Sequence, residues 1–252
     1  MKNLRQQVLN RDLTAGTFLN LGSSLTAEIA GRAGFDWVLI DLEHGAGDYQ
    51  NLVVQLQAIE GTPAAAIVRI AWNDPVLFKR VLDLGPSGVM VPYVQTMEEA
   101  KRAVAAMRYP PVGIRGVASM NRACGFGPDF EQYFNSANDG LLLIVQIETQ
   151  LAVDNAAEIA AVQGVDVLLV GPLDLSVNMG LVRQFDHPKF RGALARVATA
   201  CRQHNKAAGV MLSKEEQILA AKADGFTFLG LGSDGALIAE GMRKLAAALR
   251  KM

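Results

Sequence analysis

The run Phe35-Asp36-Trp37-Val38-Leu39-Ile40-Asp41-Leu42-Glu43-His44 is an apolar segment that ends abruptly in three titratable side chains. His44 is one of three histidines in the chain, and it stands beside two carboxylates. A carboxylate next to an imidazole can fix its tautomer and raise its basicity, the arrangement of a proton-transfer site. Gly45-Ala46-Gly47 follows and allows a tight turn before the next helix-like pattern. The alternative reading is a solvated polar turn after a buried strand. The local sequence leaves both open, so the choice rests on what positions this segment and what else lies near it.

Short apolar runs alternate with amphipathic stretches throughout the chain. Strands are predicted over residues 16–21, 37–42, 65–70, 88–94, 141–147, 165–170, 207–212 and 226–231. Many are apolar on both faces, as in Leu141-Leu142-Leu143-Ile144-Val145, the pattern of parallel strands covered on both sides. Helices are predicted between them over 25–33, 49–59, 75–84, 97–107, 153–162, 188–203, 215–223 and 236–249. Asp74-Pro75, Thr96-x-x-Glu99 and Ser213-x-x-Glu216 read as helix starts. In the last segment, Ile238, Met242, Leu245 and Leu249 make an apolar stripe, which predicts a packed helix rather than a tail.

Strand–helix alternation without a composition break predicts one (β/α)8 TIM barrel spanning residues 1–252. Residues 108–138 are rich in glycine and proline, including Pro110-Pro111 and Gly127-Pro128. Such a connection in a compact barrel is expected to be a lid or rim loop.

With 50% hydrophobic residues, 19% charged and a net charge of -1, the composition argues against partners such as nucleic acid or anionic membrane. Cys124 and Cys201 make no disulfide framework and no metal-type spacing. The polar start MKNLRQQVLNRD lacks the apolar core of a signal peptide, and no apolar run approaches the about 18 residues of a membrane span. The expectation is a soluble cytoplasmic protein.

A barrel carries its chemistry at the carboxyl ends of its strands. The predicted second strand ends in Asp41, Glu43 and His44, and the third in Arg69. The fifth carries Gln146 and runs into Glu148; the sixth is followed by Gly171-Pro172-Leu173-Asp174. An inward arginine is costly without an anion, although a strand-end arginine can also snorkel to solvent. Glu148 and Asp174 fall on adjacent strand ends. Two carboxylates held close repel, and a divalent cation or a shared proton relieves this; each could instead cap a helix or meet a local arginine. Magnesium- or manganese-type ions suit two carboxylates completed by waters and substrate oxygens.

Other patterns carry less. Gly230-Leu231-Gly232-Ser233-Asp234-Gly235 matches a dinucleotide fingerprint, but no further strand with a ribose-binding acid follows, so a tight eighth turn is expected. His187, before Pro188, reads as a turn or helix cap, and His204 as a helix C-terminal residue. No lysine falls within the fifth or sixth strand, so a Schiff-base site has no good candidate.

Taken together, the chain resembles the HpcH/HpaI family of class II, metal-dependent pyruvate aldolases, of the 4-hydroxy-2-oxoheptanedioate aldolase type. The segments that carry the resemblance are Gly34-Phe35-Asp36-Trp37, Asp41-Leu42-Glu43-His44-Gly45, Val68-Arg69, Gly88-Val89-Met90-Val91-Pro92, Gly113-Ile114-Arg115-Gly116, Gln146-Ile147-Glu148-Thr149 and Gly171-Pro172-Leu173-Asp174-Leu175-Ser176. They recur in family order over essentially the whole chain, with no departure at the core positions.

The resemblance implies reversible cleavage of a 4-hydroxy-2-oxo acid to pyruvate, or a close analogue such as hydroxypyruvate, and an aldehyde. Glu148 and Asp174 would be the metal ligands for Mg2+ or Mn2+, with Co2+ possible. Arg69 would hold the enolate oxygen, and His44, oriented by Asp41, would be the acid/base. Gln146, Gly171, Pro172 and Leu173 would line the substrate site. Asp83 would reach the aldehyde end of a neighbouring subunit's site. The family exchanges its last helix between barrels and assembles as a hexamer, a dimer of trimers. The competing functions are a related decarboxylase or CoA-thioester lyase, and a non-catalytic binding barrel.

Overall fold

A computed structural model of the chain describes residues 4–250; the ends of the expected 1–252 span lie outside the described residues. Eight parallel strands close into a barrel in the order β1 to β8. They are β1 (Thr14–Leu19), β2 (Trp37–Asp41), β3 (Ala65–Arg69), β4 (Gly88–Val91), β5 (Leu142–Ile147), β6 (Val167–Val170), β7 (Ala207–Leu212) and β8 (Phe228–Ser233). The helices are α1 (Leu4–Leu9), α2 (Ser24–Arg32), α3 (Tyr49–Glu60), α4 (Pro75–Leu82), α5 (Met97–Met107) and α6 (Phe130–Gly140). They continue as α7 (Gln150–Asp154), α8 (Ala156–Ala161), α9 (Pro172–Asn178), α10 (Pro188–Gln203), α11 (Gln217–Ala223) and α12 (Asp234–Leu249). The fold is the expected (β/α)8 TIM barrel.

Alternation along the strands decides what the barrel holds. Trp37 and Leu39 of β2, Ala65 and Ile67 of β3, and Leu142 and Ile144 of β5 share one inner cluster with Met90, Val167, Leu169 and Phe228. Their neighbours of opposite parity pack outward against the helices. With period two, Asp41, Arg69 and Gln146 continue the inner rows, so the apolar columns of β2, β3 and β5 end in polar residues at the mouth. At the other end, α1 inserts Leu4 and Val8 into the same inner cluster, and Arg5 pairs with Asp166 at 2.9 Å.

Sequence signals and structure part company in several places. Asp74 and Thr96–Glu99 cap their helices as expected. The Ser213–Glu216 box does not form: α11 begins at Gln217, whose own Oε1 accepts from the Ser213 and Lys214 N–H groups at 2.9 and 3.0 Å. Strand β4 stops at Val91 because Pro92 has no N–H for the ladder. The helix expected over 153–162 is two short ones, broken at Asn155, whose amide donates to the Gln95 carbonyl at 2.9 Å.

The segment 108–138 is neither lid nor rim of this barrel's mouth. It contains α6, and it lies under the amino-terminal face, where Ala123 N–H donates to Asp83 O at 3.0 Å and Arg122 to Leu84 O at 2.7 Å. The apolar stripe of α12 also fails to pack within the chain. Leu237, Ile238, Met242, Leu245 and Leu249 are exposed, and Asp234 is the buried residue of that helix.

One close approach inside the barrel has a measurable consequence. Trp37 stacks on Phe228 with ring centroids 4.3 Å apart, and a Cβ at Gly16 would overlap the Trp37 ring. Gly16→Ala is therefore expected to cost about 3 kcal/mol or more. Gly192→Ala, in α10 with open space around it, should be neutral or slightly stabilising. Urea unfolding of the two variants against wild type checks this.

Candidate active site

The inner rows bring a buried arginine and its carboxylates to one mouth. Asp41 and Arg69 are register partners on β2 and β3. Arg69 Nε donates to Asp41 Oδ1 at 2.8 Å and Nη2 to Oδ2 at 2.6 Å, a bidentate pair with both side chains buried. Its third nitrogen, Nη1, reaches Gln146 Oε1 at 3.4 Å and lies 3.0 Å from Glu43 Oε2, close enough for an ion pair but not aligned as a hydrogen bond. The guanidinium also stands 5.3 Å from the Phe18 ring centroid. Burial alone would raise Asp41, but the Arg69 hydrogen bonds and charge bring it below its ordinary value. Burial likewise would lower Arg69, and Asp41 more than reverses this.

From Arg69 the network runs on to the next carboxylate. Gln146 Nε2 donates to Glu148 Oε1 at 2.6 Å, and the Tyr93 backbone N–H donates to Glu148 Oε2 at 3.0 Å. Gly171 lies directly against Glu148: a Cβ there would fall 2.7 Å from Oε1. Burial, then the charge of Asp174, pushes Glu148 up to about 7. Glu43 is raised by burial too, with Asp174 among its contributors. Asp174 sits exposed in the first turn of α9, which begins with Pro172.

His44 is exposed at the rim, with 68% of its side chain accessible, and its Nε2 lies 3.8 Å from Glu43 Oε1. The expected orienting role of Asp41 takes a different form here. Asp41 Oδ1 accepts the backbone N–H groups of Glu43 and His44, at 3.0 and 3.3 Å, while its carboxylate is committed to Arg69. It holds the loop that carries the imidazole rather than the imidazole itself.

Asp83 is not brought to this site. It follows α4 at the opposite face, where Arg115 Nη2 bonds its Oδ1 at 3.1 Å. Arg115 is fully buried, donates to Tyr133 Oη at 3.1 Å and lies over the Tyr109 ring. Lys206 is pulled below its ordinary value by burial, but it precedes β7 at that same far face. His187 caps α10, and β8 passes directly into α12 through Ser233, as the turn reading anticipated. An apolar cavity of about 410 Å³ lies between α10 and α11; Pro172 and Leu173 border it, and the charged site residues do not.

The sequence reading missed Glu43 as a second anion on Arg69 and Tyr93 as a donor to Glu148. Strand parity does not signal the first, because Glu43 lies in the bend beyond β2, in the loop held by its N–H on Asp41 Oδ1. The second is a backbone contact, which no side-chain pattern reveals.

These residues fit a divalent cation. Among the described residues no group of three or more His, Cys, Asp and Glu gathers as a cage. Two carboxylates do converge, and Glu148 is raised by burial and by Asp174, the situation a cation relieves. Two protein carboxylates with waters and substrate oxygens suit Mg2+ or Mn2+.

The parallel barrel, with a buried arginine set among carboxylates at its mouth, has known relatives. Residues 14–241 match the HpcH/HpaI aldolase/citrate lyase family. The chain is 42% identical over 238 residues to a 5-keto-4-deoxy-D-glucarate aldolase of Salmonella arizonae, covering 94% of this chain and 92% of that protein. It superposes on an HpcH/HpaI aldolase/citrate lyase family protein from Burkholderia cenocepacia with a TM-score of 0.94 and 34% identity, covering 99% of this chain and all of the other. An HpcH/HpaI aldolase from Desulfitobacterium hafniense gives 0.93 and 28%, covering 100% and 98%. The chain belongs to the HpcH/HpaI aldolase/citrate lyase family, and it is a carbon–carbon lyase of the aldolase type. No helix among the described residues is long and apolar enough to cross a membrane.

The Glu148 environment has a pH signature. Burial, with the Asp174 charge, holds the Glu148 carboxyl up at about 7, above its ordinary value of 4.5. Between these values the folded state binds more protons than the unfolded one, so stability without a cation falls as pH rises. The loss is about 3 kcal/mol when complete. Melting temperatures in chelator should drop by several degrees from pH 5 to 7.5, and Mn2+ should restore them. Glu148→Gln should flatten the slope.

Proposed function

We propose that the chain cleaves, reversibly, the C3–C4 bond of a 4-hydroxy-2-oxo acid, releasing pyruvate or hydroxypyruvate and an aldehyde. The observation that carries this reading is the buried network Asp41–Arg69–Gln146–Glu148, which sets one fixed cation beside a strained carboxylate at the mouth. Glu148 and Asp174 would hold the divalent ion, which when bound polarises the 2-oxo group. Arg69 keeps positive charge where the enolate oxygen develops, with Asp41 fixing its plane. His44 takes the proton from the C4 hydroxyl as the C3–C4 electron pair moves into the enolate, and the aldehyde leaves. A proton returned to C3 completes pyruvate. Gln146 orients Glu148, Gly171 leaves room for it, and the α9 start at Pro172 and Leu173 borders the substrate carboxylate.

The test is deuterium exchange into the methyl group of pyruvate, followed by NMR, which needs no aldehyde. Exchange is expected with Mg2+ or Mn2+ and should vanish with chelator or in Glu148→Ala. His44→Ala should slow retro-aldol cleavage about 100-fold or more while metal binding persists. Exchange indifferent to chelator would sink the metal assignment. No exchange with any metal would favour the decarboxylase or thioester-lyase chemistry.

We further propose a hexamer, a dimer of trimers, in which α12 packs on another barrel and Asp83 reaches a neighbour's mouth. In support, α12 leaves its apolar stripe uncovered, and so do Leu25 and Ile29 on α2 and Leu219 on α11. Sedimentation should report about six chains for the wild type, and Leu245→Asp should give smaller species; a monomeric wild type contradicts the assembly.

A further inference from the structure

Two aromatic rings stand uncovered at the mouth, beside the carboxylate the reaction would use. Trp72, in the loop after β3, is 58% exposed and Tyr93, after β4, is 42% exposed. Their rings stack with centroids 6.0 Å apart and planes 27° from parallel. The chain's other tryptophan, Trp37, is wholly buried inside the barrel. Exposed aromatic surface is unfavourable in water, and a stacked pair kept at a site's mouth offers a face for another ring.

Both rings are held in place. Tyr93 has φ 57°, a left-handed conformation that a bulky residue keeps only when its surroundings fix it. What fixes it is its own N–H, bonded to Glu148 Oε2 at 3.0 Å. The Trp72 loop is braced by Asn73, whose amide donates to Glu99 O at 2.9 Å, and by the Asp74 N–H on Trp72 O at 2.9 Å. The pair is therefore registered to the candidate metal carboxylate rather than free on the surface.

Charge narrows what it receives. Residues 70–75 and 92–96, which carry the two rings, contain no lysine or arginine. The Asp74 carboxylate is occupied as a helix cap on Val76 N–H. An aldehyde ending in a carboxylate would find no counter-ion on these two loops, and a ring would find a surface.

We propose that the acceptor aldehyde is aromatic, its ring seated on the Trp72–Tyr93 pair. This rests on the aldol reading above. The test compares retro-aldol kcat/KM on 4-hydroxy-2-oxo-4-phenylbutanoate, which releases benzaldehyde, with that on 4-hydroxy-2-oxopentanedioate, which releases glyoxylate. The assay uses the assembled enzyme saturated with Mn2+. Wild type should prefer the phenyl substrate by about tenfold, and Trp72→Ala should cut that ratio about fivefold, through KM. Trp72→Phe should retain most of it. A wild-type preference for the carboxylate substrate, or an equal loss on both substrates in Trp72→Ala, overturns the proposal. So does an unchanged ratio accompanied by a smaller sedimenting species, which would make Trp72 a contact between copies. Wild-type pyruvate exchange separates the two failures. Exchange without a phenyl preference removes only the aromatic acceptor, and absent exchange removes the aldol reading with it.

Discussion

Arg69 is a cation almost without water, and the mouth of the barrel is organised around that fact. A buried guanidinium is tolerable only if its donors are matched, and Asp41 matches two of them in one plane. That pairing commits the Asp41 carboxylate and fixes where Nη1 points, toward Gln146 and Glu43. Gln146 in turn fixes Glu148. Parallel register makes the first step of this chain, since Asp41 and Arg69 are partners on adjacent strands. Removing the guanidinium would leave Asp41 buried and unpaired, an outcome far costlier than the pair itself. Chemistry and fold thus depend on the same ion pair.

Much of this was legible in the residues. The eight apolar runs, doubly buried, specified a parallel barrel, and the polar residues at or after the ends of the second, third, fifth and sixth runs named the mouth. Asp74-Pro75 and Thr96–Glu99 worked as caps because their partners are local. Ser213–Glu216 did not, because Gln217 competes for the same N–H groups and places the helix start later. Residues 108–138 misled for a different reason. Glycine and proline report how the chain turns, and say nothing about which end of the barrel the turns occupy. That end is set by whether a connection follows a strand or a helix, and this one follows α5. The Asp41–His44 pairing misled because adjacency in sequence does not decide which donor takes a carboxylate; the buried guanidinium outbids the exposed imidazole.

Geometry at Gly171 and Tyr93 shows what the site demands of its backbone. Glu148 occupies the space a Cβ would need at residue 171, and Tyr93 accepts a left-handed φ to present its N–H. Neither accommodation helps the barrel fold. Both serve one carboxylate, which is then left raised to about 7 by burial and by Asp174. A fold that only had to be stable would bury an apolar side chain there. Instead Glu148, just after β5, and Asp174, in the first turn of α9, are close enough that one raises the other, a repulsion that a divalent ion bound there would relieve.

The same logic reaches the outer surface. The barrel's inside is filled by its own side chains, so the exposed leucines of α12 and α2 do not reflect a poorly made core. They are well-placed apolar stripes on regular helices that lack a counterpart in the same chain. Asp83 has the complementary character: a carboxylate presented at the far face, braced by a fully buried arginine between two tyrosines. The same guanidinium donates to Tyr133 Oη, so it ties α6 to the end of α4 while it holds the carboxylate. Under the proposed assembly, the far face of one barrel would meet the mouth of another, where Arg69 and Glu148 are the ionisable groups, Gln146 links them as a neutral amide, and the Asp83 carboxylate would complete the rim.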